Sequence, residues 1–188
     1  MGKFWSDGTA QDPKRAFRFT ISIEGGFKNI PAYTAKKVTK PSFTIQESTH
    51  QYLNHTYYYP GRTEWNTVTL TLVDPVNPDA AKALVEIVRA AGYSPAQTKD
   101  DLKTMSKAKA VEAMGTMKIN QIDADGKNVE TWCLHNAWVK DAKFGDLAYD
   151  SDDLTEVELE IRYDYASFIK SNNGAAGTPI WGSQGSGN

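Results

Sequence analysis

The sequence has one cysteine in 188 residues, Cys133, which excludes an internal disulfide and any zinc site built on cysteine thiolates. A lone cysteine fits a chain made in a reducing compartment, and its ordinary role is that of a small buried hydrophobe. Histidine is nearly as scarce, with only His50, His55 and His135. The first two are five residues apart in an extended segment, on opposite faces, and make a poor ligand pair. No basic block is longer than Lys36-Lys37 and the net charge is -2, so the footprint of a protein that grips a phosphate backbone is missing. No apolar run reaches membrane-spanning length, and the start MGKFWSDGTAQDPKR lacks the apolar region of a secretory signal. The expectation is a protein with no membrane anchor. Met1-Gly2 before Ser6 matches a myristoylation pattern too short to carry weight, and without a secretory signal the acceptor triplet Asn54-His55-Thr56 has no bearing.

Catalytic motifs are missing as well. There is no GxSxG elbow to activate a serine, no P-loop and no dinucleotide fingerprint. The runs DADG (123–126) and DSDD (150–153) begin like calcium loops but lack the further ligands and the closing glutamate, so turn chemistry is the reading. Glu156, Glu158 and Glu160 follow one another at intervals of about 7 Å along a strand, with nothing to push their pKa values apart as acid and base work requires. No catalytic residue, metal or cofactor is expected, and the protein is read as a non-enzyme.

What is present is period-two alternation. Hydrophobic residues at 40% and charged residues at 23% allow one well-buried domain. In LTEVELEIRYDY (154–165), Val157, Leu159, Ile161, Tyr163 and Tyr165 fall on one face and Glu156, Glu158, Glu160, Arg162 and Asp164 on the other. The second face has water or a protein partner before it. RAFRFTISIE places Phe17, Phe19, Ile21 and Ile23 together, and WNTVTLTLVD does the same with Val68, Leu70 and Leu72. One segment breaks the pattern: Asn77 as cap, Pro78 at the first helical position and Gly92 beyond the end frame a helix with Ala80, Leu84, Ile87, Val88 and Ala91 on its apolar stripe. The charged, alanine-rich stretch 96–113 is a weaker helix or a surface loop, and Asp125-Gly126 is a hairpin turn. The expected architecture is mainly β, an antiparallel sandwich or partly open barrel with one docked helix. Its organisation is an N-terminal arm (1–14), a β domain (15–170) and a flexible, glycine-rich tail (171–188) with Trp181 as its single large anchor.

Within that pattern, VTKPSFTIQESTHQYLNHTYYYPGRTEWNTVTLTLVD has a particular order of landmarks: Pro41, then Tyr57, Tyr58 and Tyr59, then Pro60-Gly61, Trp65 and the strand from Val68 to Leu72. LHNAWVKDAKFGDLAYDSDDLTEVELEIRYDYASF adds a strand, an acidic turn and a final alternating strand that closes on aromatics. Together, over most of residues 15–168, these resemble the tail tube proteins of contractile-tailed phages, a family shared with tube subunits of bacteriocin-like tails and of type VI secretion.

The resemblance implies subunits that form rings of six stacked into a hollow tube, each adding strands to a ring-wide inner barrel. It implies as partners the subunit itself, a tail sheath, baseplate and terminator proteins, and DNA that passes without specific binding. It implies a virion location, in a phage tail assembled in the bacterial cytoplasm. On that layout Ser42, Thr44, Gln46, Thr116, Lys118 and Asn120 line the lumen. Tyr57, Tyr58, Tyr59, Pro60, Gly61, Arg62 and Trp65 form a subunit or ring interface, with a local hairpin packed on its own sheet as the alternative. Glu156, Glu158, Glu160 and Asp164 face outward to the sheath, with a merely solvated face as the alternative. The readings left open are a tube subunit of a phage-derived injection particle and, from another class, a ligand- or carbohydrate-binding β-sandwich module that uses exposed Trp and Tyr as a stacking platform.

Overall fold

The computed structural model describes residues 13–25, 32–95, 104–171 and 179–181. In chain order these form β1 (Phe19–Ile23), one 3-10 turn (Ala32–Thr34), β2 (Ala35–Val38), β3 (Phe43–Tyr52), β4 (His55–Trp65), β5 (Val68–Val73), α1 (Ala80–Ala90) and α2 (Lys107–Met114). They continue with β6 (Met117–Ile122), β7 (Asn128–His135), β8 (Trp138–Lys143), β9 (Glu156–Arg162), β10 (Tyr165–Lys170) and β11 (Pro179–Trp181). One sheet runs β1-β6-β7-β10-β11 and a second β2-β5-β9-β8, while among the described residues β3 and β4 pair only with each other. Every pairing is antiparallel, as expected.

Alternation explains the core. Val68, Leu70 and Leu72 of β5 sit beside Ile161, Leu159 and Val157 of β9, all buried, while the intervening residues point away. From the other sheet Met117 and Ile119 of β6 and Leu134 of β7 meet them, with Ala166 of β10. Each of the valine, leucine, isoleucine and methionine side chains contributes on the order of 2 kcal/mol through removal from water.

Helix α1 closes one side with Ala80, Leu84 and Ile87 buried. It starts two residues later than the Asn77-Pro78 reading: Asp79 is the cap, its carboxylate accepting from the Lys82 N–H at 2.8 Å. Asp74 Oδ1 takes the N–H groups of Ala80 (2.9 Å) and Ala81 (3.3 Å), so two carboxylates satisfy the helix start. Gly92, at φ +106°, ends it. Of the stretch read as a weaker helix or a surface loop, the later part is helical: Ser106 caps α2, and Gly115 at φ +71° stops it. The preceding residues, 96–103, lie outside the described residues.

Two strand readings need correction. Phe17 is 75% exposed, because β1 pairs only from Phe19 onward. The run LTEVELEIRYDY is not one strand: after Tyr163 the Asp164 N–H donates to the His135 carbonyl, and the chain leaves the four-stranded sheet for the five-stranded one. Tyr165 therefore lies 40% exposed on the other sheet, stacked on His135 at 4.4 Å, and not in the core with Tyr163. Of the segment read as a tail, Ser171 donates its N–H to the Val129 carbonyl at 3.0 Å and residues 179–181 form β11 against β10; 172–178 and 182–188, like residues 1–12 of the arm, lie outside the described residues.

A buried carboxylate ties the start of the domain down. Glu130, 5% exposed, pairs with both Lys14 and Lys40, and Lys40 also donates to Gln121 Oε1 at 2.6 Å. Gln121 in turn donates to the Arg15 carbonyl at 2.8 Å. Burial pushes the Glu130 carboxyl up, but the hydrogen bonds and charges of the two lysines more than reverse this and hold it below the usual carboxylate range. A depressed folded-state pKa gives stability that is present above the unfolded value, about 4.3, and lost as pH falls through the folded one. Glu130→Ala is expected to lower stability by about 2 kcal/mol at neutral pH, since the half-exposed lysines can return to water. Urea melts at pH 7 and pH 3 should show that deficit shrinking in acid; an equal deficit at both would count against the ion pairs as its source.

Candidate functional site

The hairpin β3–β4 is the feature the core does not use. All ten residues of β3 are exposed, and along β4 only Thr56 and Trp65 are partly covered. The base is the exception to this isolation. Phe43 and Trp65 face each other across the strands with ring centroids 5.3 Å apart, and Trp65 reaches Tyr163 at 5.9 Å. Trp65 thus packs against the domain's own core and anchors the hairpin to it.

A bulge divides the hairpin into two halves. Ile45 pairs with Thr63 and Glu47 with Pro60, so two steps on β3 answer three on β4. The proline and glycine explain its place. Pro60 has no N–H for a ladder, and a Cβ on Gly61 would meet the Gln46 carbonyl oxygen at 2.9 Å. The extra residue shifts the parity of β4, so Tyr57 and Tyr59 share a face with His50 and Ser48, while Tyr58 and Pro60 share the other with Thr49 and Glu47. The three tyrosines, 46%, 66% and 53% exposed, therefore do not make one stacking platform. Arg62 is exposed beside the bulge.

The lumen candidates fall into two groups. Ser42, Thr44 and Gln46 form one polar patch at the hairpin base with two residues that the alternation did not single out: Asn66 donates to Ser42 Oγ (3.1 Å) and Thr44 Oγ1 (3.5 Å), and Gln46 donates to Glu64 at 3.3 Å. Lys118 and Asn120 lie on the outer face of β6, with Thr116 just before the strand. Lys118 is paired with Glu24 at 2.8 Å.

The glutamate row of β9 shares one outer face, as alternation requires, but it is not bare. Lys36 pairs with Glu156, Lys143 with Glu158 at 3.4 Å and Lys140 with Glu160 at 2.9 Å. The Thr67 hydroxyl and Lys140 hold the Glu160 carboxyl below its ordinary range. The face is a ladder of exposed ion pairs, each contributing little, in place of the acidic wall that the strand suggests by itself. The lysines come from β2 and β8, and only the strand order puts them there. Asp164 is separate from this row: it sits in the turn between the sheets and accepts from Lys107 (2.6 Å) and Asn136 (2.8 Å).

Remaining candidates for chemistry have structural partners. Cys133 is buried, and burial pushes its thiol pKa up. His135 Nε2 lies 2.8 Å from Ser167 Oγ, and burial pushes the imidazole pKa down. Asp123 Oδ1 accepts from the N–H groups of Asp125 (2.9 Å) and Lys127 (2.8 Å), which is turn chemistry. Among the described residues no group of three His, Cys, Asp or Glu is placed to hold a metal.

The fold is similar to that of solved contractile assemblies. The cap of the anti-feeding prophage, a tube-terminating cap, superposes with a TM-score of 0.64 at 13% identity, covering 91% of this chain and all (100%) of that one. A chain of the sheath/tube terminator of an extracellular contractile injection system gives 0.62 at 16%, covering 85% and 98%. Its sheath-tube complex gives 0.60 at 16%, covering 86% and 95%. No curated protein sequence matches. At the level of sequence, the family described as T4-like virus tail tube protein gp19 matches residues 15–167, nearly the whole domain with its hairpin and both sheets, and the chain belongs to that family.

Proposed function

We propose that this chain is the structural subunit of a tail tube, without enzymatic activity, which assembles with copies of itself into six-membered rings stacked as a hollow conduit. The observation that carries this reading is the β3–β4 hairpin: 23 residues from Phe43 to Trp65, exposed beyond its base and, among the described residues, without a strand partner along either outer edge, in a chain of the tail tube family. Unpaired strand edges of that length are an aggregation hazard in a free monomer, and ring closure is the ordinary way to cover them. Tyr57, Tyr58, Tyr59, Pro60, Gly61 and Arg62 are then contacts between subunits, and Ser42, Thr44, Gln46, Thr116, Lys118 and Asn120 belong to the lining. The ion-pair face with Glu156, Glu158 and Glu160 turns outward to a sheath. Its weak pairs suit a contact that has to release when the sheath contracts. Baseplate and terminator proteins are the partners at the two ends, the tube sits in a phage-like particle assembled in the host cytoplasm, and DNA is the cargo in a phage. The solved relatives named above, a prophage-derived particle and an extracellular injection system, favour a second setting in which the same tube belongs to an injection particle. Negative-stain electron microscopy of the purified protein tests the main reading: hollow tubes or six-fold rings are expected, and a monomer at every concentration and ionic strength would refute it.

A further inference from the structure

The β8–β9 pair carries a projecting tip at one end and a cavity at the other. At the tip, residues 144–155 form a loop with four aspartates, Asp146, Asp150, Asp152 and Asp153, and no lysine or arginine. Leu147, Tyr149 and Leu154 on this loop are all exposed, Tyr149 completely. Apolar surface gathered in one place in this way marks a contact site. The loop is pinned at its root: a Cβ on Gly145 would meet the Glu156 carbonyl oxygen at 2.6 Å, and the Thr155 carbonyl accepts from the Asp74 N–H at 2.9 Å. At the foot of the same strands, Trp138 opens β8 opposite Arg162, the last residue of β9. With Trp65, Tyr163 and Met105 they line a cavity of about 710 Å³ at the base of the β3–β4 hairpin. Its rim holds two acids and two bases. Lys107 is committed to Asp164 at 2.6 Å, and Glu64 accepts from Gln46 at 3.3 Å. Arg162 is exposed and, among the described residues, has no ion-pair partner, so the uncommitted charge of the foot is positive.

We propose that the tip of one copy docks in the foot of a second, with Leu147 and Tyr149 entering the cavity beside Trp65 and Trp138 and Asp150 meeting Arg162. The proposal rests on the tube reading above and makes this contact the axial one, between stacked rings. A second copy fits the foot for three reasons. An acidic tip faces a foot whose free charge is basic. An exposed tyrosine and leucine match a cavity walled by two tryptophans, where an aromatic side chain gains most from leaving water. The two surfaces also lie at opposite ends of one strand pair, about 20 Å apart along β9 at roughly 3.3 Å per residue. Displacing one copy along the strands therefore brings tip to foot without using either surface twice, and such a head-to-tail contact repeats without closing. The foot adjoins the hairpin, so it continues the surface already proposed to join subunits.

Cross-linking across the contact tests it. Tyr149→Cys and Met105→Cys are combined in one chain, and assembled tubes are treated with a short bis-maleimide; Cys133 is buried, and each single variant controls for it. The expected result on a denaturing gel is a ladder of linked chains that continues beyond the hexamer and is absent from both single variants. A ladder that stops at the hexamer would place the contact within a ring. Tubes visible by electron microscopy that give no ladder would remove it altogether. Either result overturns the proposal while leaving the tube reading intact. If the double variant does not assemble, a charge exchange takes its place: Arg162→Asp and Asp150→Arg are each expected to leave rings in place of long tubes, and the two together to restore the tubes. Long tubes from both single variants, or no restoration in the pair, would overturn the proposed pairing. A wild type that forms neither rings nor tubes would instead refute the tube reading, and this contact with it.

Discussion

Replacing residues 44–64 by an Asn-Gly turn, so that Phe43 connects directly back to Trp65, is expected to give a folded protein that forms no tubes. Phe43 and Trp65 are cross-strand partners, which a two-residue loop can join without moving either ring. The excised residues contribute nothing to the buried core, so the thermal transition should stay cooperative and close to that of the full chain. The loss falls on assembly, because the removed strands carry the open edges and the tyrosines proposed to bridge neighbours. Circular dichroism melts and electron microscopy of the same preparation check both halves of the expectation. Normal tubes from the shortened chain would show that the hairpin is not an assembly contact.

Trp65→Ala should act one level lower, on the monomer. Its ring lies between Phe43 and Tyr163 at the edge of the core, so truncation removes contacts on two sides and leaves a gap under the hairpin. A cost of about 3 kcal/mol is expected, which for a domain of this size is a fall in Tm of roughly 6–12 °C. Assembly should weaken with it, since a hairpin that swings on its base reaches its neighbour less often in the bound geometry. Comparing Trp65→Ala with Trp65→Phe separates the two effects: if phenylalanine restores Tm but not tube formation, Trp65 touches a neighbour directly as well as anchoring the hairpin. Unchanged Tm in the alanine variant would refute the anchoring role.

Much of this arrangement could be read from the chain before any coordinates. The alternation of β5 and β9 reports which side chains are buried, because a pleated strand has only two faces, and the buried residues Val68, Leu70, Leu72, Val157, Leu159 and Ile161 are those it names. The same pattern is silent on which sheet a strand joins. Tyr163 and Tyr165 continue one alternation, yet β9 ends at Arg162 and Tyr165 opens β10 in the other sheet, a crossing marked by the non-local bond from the Asp164 N–H to His135. The paired lysines were hidden for a similar reason: Lys36 and Glu156 are 120 positions apart and meet only through the order β2-β5-β9-β8. In the hairpin, PG marked an irregularity, but its effect on Tyr57, Tyr58 and Tyr59 depends on the register across it, which no count along one strand supplies.

The crossing between β9 and β10 also has a mechanical meaning. Each of the two strands lies inside its sheet, β9 flanked by β5 and β8 and β10 by β7 and β11, and only Tyr163 and Asp164 separate them. A pull along the chain at this link loads hydrogen-bonded ladders on both sides of both strands in shear, where many bonds share the force and none can be peeled singly. The sheets are stitched twice in this way, because β7 passes to β8 through Asn136 and Ala137 alone, so a force that would draw the two sheets apart along the chain meets a short, taut link at each place.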